Sequence, residues 1–122
     1  MVLNGKKLWI SGADKADYGL VFARTGGAGR SGVTAFIVET DWPGFKVARI
    51  VHTLRSAKYA TEIHIEDLRV PHENILGEEG GGFAIANDRL ARQRVPYAAE
   101  CLGAAIKAHE MAVEYSKIFY MY

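Results

Sequence analysis

Hydrophobic and polar positions follow two different rhythms along the chain. Up to about Val70, short apolar runs alternate with polar residues and are bounded by glycine, asparagine and proline, the pattern of strands and turns. The Asn4-Gly5 pair predicts a hairpin turn leading into a strand that ends at Ser11. Such a turn implies a strand upstream, for which Met1 to Leu3 are too few. Tyr18 to Arg24, "YGLVFAR", predicts the next strand, and "TGGAGRSG" after it predicts a flexible loop. Val33 to Thr40 is long enough for a central strand and short for a helix. "DWPGF" predicts a turn around Pro43-Gly44, followed by "KVARIV", a strand with one solvated face. From Thr61 to Val70 the alternation points Ile63, Ile65 and Leu68 inward and His64 and Glu66 outward.

At Pro71 the rhythm changes. "VPHENILGEEGGGF" predicts a loop that turns at Gly80-Gly81-Gly82, and Phe83 to Tyr122 is alanine-rich with apolar spacings of three and four, a helical pattern. Pro96 inside that pattern predicts two helices, or one kinked helix, with the break just after Arg94 and Val95. Cys101 or Leu102, Ala105, Ile106, His109 and Val113 share one face, and Gly103 allows a neighbouring helix to come close. A helix of this kind needs a surface to pack against, which implies a homo-oligomer or further helices. By pattern alone the chain reads as a β-domain joined to helices.

Composition narrows the chemistry. The chain has 122 residues and a net charge of +1 with acids and bases interspersed, so it lacks the basic footprint of a nucleic-acid binder. No apolar run approaches the roughly 20 residues of a membrane span. The N-terminus lacks the succession of a signal peptide, which predicts a reducing compartment: the cytoplasm, or the mitochondrial matrix in a eukaryote. Cys101 has no CxxC partner and is expected to be a buried small hydrophobe. His52, His64, His72 and His109 are scattered without ligand spacing, so no metal site is predicted. The carboxylates lie in surface-like contexts and no serine sits in an elbow motif, which leaves no candidate base or nucleophile. The triple glycine follows a loop instead of a strand and lacks a P-loop lysine. Arg89, Arg92 and Arg94, with Lys107 beyond, read as a solvated helix face or an anion site.

Trp9 and Ser11 stand two apart, on one face of an extended strand. By pattern alone that face either packs into a core or cradles a flat ligand.

The order of segments is more specific. "NGKKLWIS", "TAFIVETDWPGF", "EDLRVPHENILGEEGGGF" and the arginine before "VPYAAECLGAA" together resemble the acyl-CoA dehydrogenase family along nearly the whole chain. The resemblance implies an α+β class: an antiparallel β-barrel-like domain over residues 1–76, part of that family's middle β-domain, then a long, kinked helical segment over 77–122, the opening helices of its C-terminal helical domain. It further implies FAD as cofactor and acyl-CoA as substrate, the α-proton being abstracted and the β-hydride passed to the flavin. By resemblance, Trp9 packs near the isoalloxazine ring and Ser11 hydrogen-bonds its reactive edge. Arg94 corresponds to an arginine near the acyl-CoA pantetheine and Leu90 to a position where an aromatic is common. Ala91 replaces a common acidic residue there.

Other departures concern what the family has and this sequence does not. No glutamate matches the family's catalytic base, so no catalytic residue is assigned. The family's first barrel strands, and the loop that holds flavin and substrate, precede the region matched here. Ile118 to Tyr122 replaces an arginine-threonine-phenylalanine-glycine motif, and Lys58 and Ala60 stand in the stretch before the last strand where the family tends to carry a glycine and small hydroxyl residues. The expectation is a fragment that is catalytically inert alone. The alternative is a free-standing dimerising or ligand-binding module derived from the same fold.

Overall fold

The computed structural model describes residues 1–53 and 59–118. It has two compact units, one from Met1 to Ile85 and one beginning at Ala86. The first contains β1 (Val2–Ser11), β2 (Tyr18–Arg24), β3 (Val33–Glu39), β4 (Phe45–Val51) and β5 (Ala60–Arg69). These pair antiparallel in two sheets, β1-β5-β4 and β2-β3. The class is therefore α+β, and the β-unit is barrel-like without hydrogen-bonded closure among the described residues.

One core joins the sheets. Leu3, Ile63, Ile65 and Leu68 from the first sheet meet Val21, Phe36 and Val38 from the second. Full burial of side chains of this size contributes about 1.5–3 kcal/mol each, so the sheets are held face to face by their apolar sides. Thr34, Ala35 and Phe36 have no exposed surface. β3 runs between β2 and isolated bridges to Ile75 and Gly81.

The predicted inward set Ile63, Ile65 and Leu68 is buried, although it breaks strict alternation. Leu3 pairs with Leu68 and Gly5 with Ile65, so β5 carries one extra residue at this level. Asp67 takes it up with φ 49. The Asn4 side chain closes this bulge, accepting from the Asp67 N–H at 2.8 Å and donating to its carboxylate at 3.1 Å. The bulge turns Leu68 back to the core. It also corrects the hairpin expected at Asn4-Gly5: both residues lie inside the unbroken strand β1. The Asn-Gly signal reflects a cross-strand side-chain bond and an unusual glycine φ of 153, not a reversal.

The turn at Pro43-Gly44 is as expected. The Phe45 N–H donates to the Trp42 carbonyl at 3.1 Å, and Gly44 has φ 96, the geometry of a type II turn with proline then glycine at its centre. The loop expected to be flexible after β2 is instead tied down. Arg24 Nη1 donates to the carbonyls of Gly27 at 2.7 Å and Gly29 at 3.2 Å, and Arg30–Gly32 forms a short 3-10 turn.

A single helix, α1 (Gly82–Ile118), continues through Pro96, which decides between the two helical arrangements left open by the sequence. Proline removes the N–H that would bond to the Arg92 carbonyl, and the helix tolerates that loss. Gly82 opens α1 because the Thr34 and Ala35 backbone lies 2.7 Å from where a Cβ would stand. Every residue from Asn87 to Ile118 is exposed. The expected burial of Cys101 is thus corrected: it is an exposed free thiol. Helical periodicity marks an apolar stripe, but a stripe is buried only where a neighbour covers it. The departures expected at Lys58 and at residues 119–122 lie outside the described residues.

Candidate functional site

Trp9 occupies the most unusual backbone position of the β-unit. Lys7 pairs with Ile63 and Ile10 with Thr61, so β1 inserts one extra residue, and Leu8 and Trp9 together stand against Glu62. Trp9 has φ 64. For a bulky L-residue the left-handed region costs roughly 1–2 kcal/mol, and a strained bulge of this kind is often found beside a binding site. Its indole is 60% exposed, so core packing does not repay the strain.

The strand is therefore not regularly extended between Trp9 and Ser11. Past the bulge, Ile10 packs against the core opposite Thr61, and Ser11 is exposed opposite the buried Ala60. Two bonds fix this re-entry: Thr61 Oγ1 donates to the Ile10 carbonyl at 2.8 Å, and the Gly12 N–H donates to the Tyr59 carbonyl at 2.8 Å. An exposed indole and an exposed hydroxyl are thus held close together on a paired strand. The indole can stack on a flat ring, and the hydroxyl can donate or accept at the ring's edge.

Glu62, opposite the bulge, carries a charge cluster that sequence reasoning missed. Arg49 Nε donates to its Oε2 at 2.6 Å and His64 Nε2 lies 2.9 Å from its Oε1. The His64 bond, then the Arg49 bond, holds the Glu62 carboxyl below its ordinary value. Lys6 and Lys46 flank His64 in register on either side. His64, expected to be a solvated outward position, is half-buried in this cluster. No spacing in the sequence announces it, because Arg49 and Glu62 meet only through the β4–β5 register.

Leu90 and Arg94 lie one turn apart on α1, both exposed, in the unit that begins at Ala86. Trp9 and Ser11 belong to the other unit. In the arginine cluster, Arg92 pairs with Asp88 at 3.1 Å, which neutralises part of the predicted basic face. Among the described residues no group of three His, Cys, Asp or Glu could hold a metal ion, and no helix is long and apolar enough to cross a membrane.

Comparison with known proteins adds to this geometry. Residues 1–68 match the family model for the middle domain of acyl-CoA dehydrogenases. The chain is 43% identical over 121 residues to the short-chain specific acyl-CoA dehydrogenase of Megasphaera elsdenii, which covers 94% of this chain and 30% of that protein. The solved structure of butyryl-CoA dehydrogenase from Megasphaera elsdenii superposes with a TM-score of 0.84 at 41% identity, covering 99% of this chain and 32% of that one. PigA with FAD and proline superposes with a TM-score of 0.86 at 30% identity, again over 99% of this chain and 32% of the other. The chain therefore spans about 30% of the length of the curated relative it matches. With the β-unit's fold and a family match over more than half its residues, this chain belongs to the acyl-CoA dehydrogenase family.

Proposed function

We propose that this chain supplies the ring-facing wall of an FAD site in a protein that oxidises acyl-CoA thioesters between their α and β carbons. The observation that carries the reading is Trp9, strained at φ 64 yet 60% exposed, close to the exposed Ser11. A binding surface accounts for strain that burial does not repay. FAD, when bound, supplies the hydride acceptor of the dehydrogenation. Trp9 would stack on the isoalloxazine and limit water at that face, while the Ser11 hydroxyl would hydrogen-bond the ring's edge and orient it.

Arg94 and Leu90, on the opening turns of α1, flank the pantetheine arm of acyl-CoA. Residues 1–76 form the middle β-domain and 77–122 the start of the helical domain. No residue of this chain is assigned as the α-proton base, and general-base catalysis supplies about a hundred- to ten-thousand-fold of rate. The 122 residues therefore bind without turnover. Leu102, Ile106 and Val113, exposed along α1, support a homo-oligomer; the compartment in this reading is the cytoplasm, or the matrix of a mitochondrion.

The test is a visible absorption spectrum of the purified chain titrated with FAD, with dye reduction by acyl-CoA as companion assay. Bound flavin with a perturbed band, lost in Trp9→Ala, and no dye reduction are the expected results. A colourless protein indifferent to FAD sinks the flavin reading, and turnover sinks the assignment of no base.

A further inference from the structure

Both neighbours of β5 change phase at the same residue. On one side, Leu8 and Trp9 of β1 oppose Glu62 alone. On the other, Val47 pairs with Ile63 and Arg49 with Glu62, so Ala48 is an extra residue of β4 at the same level. Each bulge bends its strand and increases local twist. Two at one rung make Glu62 the pivot about which the β1-β5-β4 sheet turns.

The pivot's side chain is tied on both sides. Its carboxylate uses both oxygens, Oε2 on Arg49 of β4 and Oε1 on His64 of its own strand. Its side chain is 19% exposed, while the Arg49 side chain that bonds it reaches into solvent. The other charged groups near the cluster are Lys6 of β1 and Lys46 of β4, each opposite His64, and Glu66 two residues further along β5.

We propose that Glu62 is a positioning residue for Trp9. By bonding Arg49 across to β4 and His64 two residues along its own strand, it holds β5 and β4 in the bent arrangement against which β1 must bulge, and the bulge presents the indole from a left-handed backbone position. This inference rests on the FAD reading only for its consequence, the affinity for flavin. Its direct content is the environment of the Trp9 indole.

The experiment uses the full chain in a Trp42→Phe background, so that fluorescence reports Trp9 alone, together with FAD titration. Glu62→Ala is expected to shift the Trp9 emission maximum under native conditions and to weaken FAD binding by about tenfold or more. Glu62→Gln, which keeps an acceptor for Arg49, is expected to fall between Ala and wild type. A merely stabilising role would lower the unfolding midpoint and leave native emission unmoved. Unchanged emission in Glu62→Ala overturns the proposal, even if FAD still binds. If the parent chain takes up no FAD, the flavin reading fails, and the emission shift alone decides the role of Glu62. Should Glu62→Ala not fold, Arg49→Gln removes half of the clamp from a side chain that is 62% exposed. It is expected to shift emission in the same direction, and no shift there overturns the proposal.

Discussion

The hydroxyl of Thr61 donates a 2.8 Å hydrogen bond to the carbonyl of Ile10, the residue that follows Trp9. Thr61 has no exposed surface, so this bond is how a buried hydroxyl is satisfied and how β1 returns to register after its bulge. Thr61→Val keeps the shape and leaves the Ile10 carbonyl without that donor. A loss of about 1–3 kcal/mol is expected in urea unfolding, accompanied by a shift in Trp9 emission. Wild-type stability in Thr61→Val would show that the bond does not hold the bulge.

Trp9 itself yields the opposite sign for stability and binding. Asparagine tolerates the left-handed region better than tryptophan, and the indole is largely exposed, so Trp9→Asn is expected to gain roughly 1 kcal/mol in the same unfolding assay. FAD uptake is expected to disappear. A destabilised Trp9→Asn would mean that the indole packs more than its exposure indicates and that no strain is stored there.

The Glu62 cluster predicts a pH dependence. Its carboxyl is held below the ordinary value by the His64 bond first and the Arg49 bond second. The clamp is therefore fully present above the unfolded carboxylate pKa of about 4.3 and is lost only as pH falls through the lower folded value. Trp9 emission in the Trp42→Phe background should shift as pH falls below about 4, and the Glu62→Gln chain should lack that transition. A transition of equal size in both chains would assign it to another carboxylate.

Gly44 tests the turn that joins β3 to β4. Its φ of 96 disfavours any side chain, and a Cβ there would collide with the Glu66 carbonyl oxygen. Gly44→Ala is expected to cost about 1–3 kcal/mol through backbone strain, read as a lower thermal midpoint. Unaltered stability would mean that the turn relaxes into a different type.

Much of this protein could be read one residue at a time. Alternation placed Ile63 and Ile65 in a core, proline and glycine announced the turn at Trp42–Phe45, and three- and four-residue spacing announced α1. Such features are encoded locally, by side-chain period and by the φ that proline and glycine prefer. The order of motifs was enough to point to the family, because ordered motifs survive in sequence where contacts do not.

What the chain order left undecided depends on register between strands far apart in sequence. Asn4-Gly5 is a strand segment because Asn4 finds Asp67, 63 residues away. Trp9 leaves the regular strand because β1 and β5 count different numbers of residues between the same two rungs. Glu62 gathers Arg49 and His64 for the same reason. The sequence by itself determined which segments are strands and helix. Only the tertiary structure decided where those strands slip against one another, because a bulge is a property of a pair of strands and has no signature in either one.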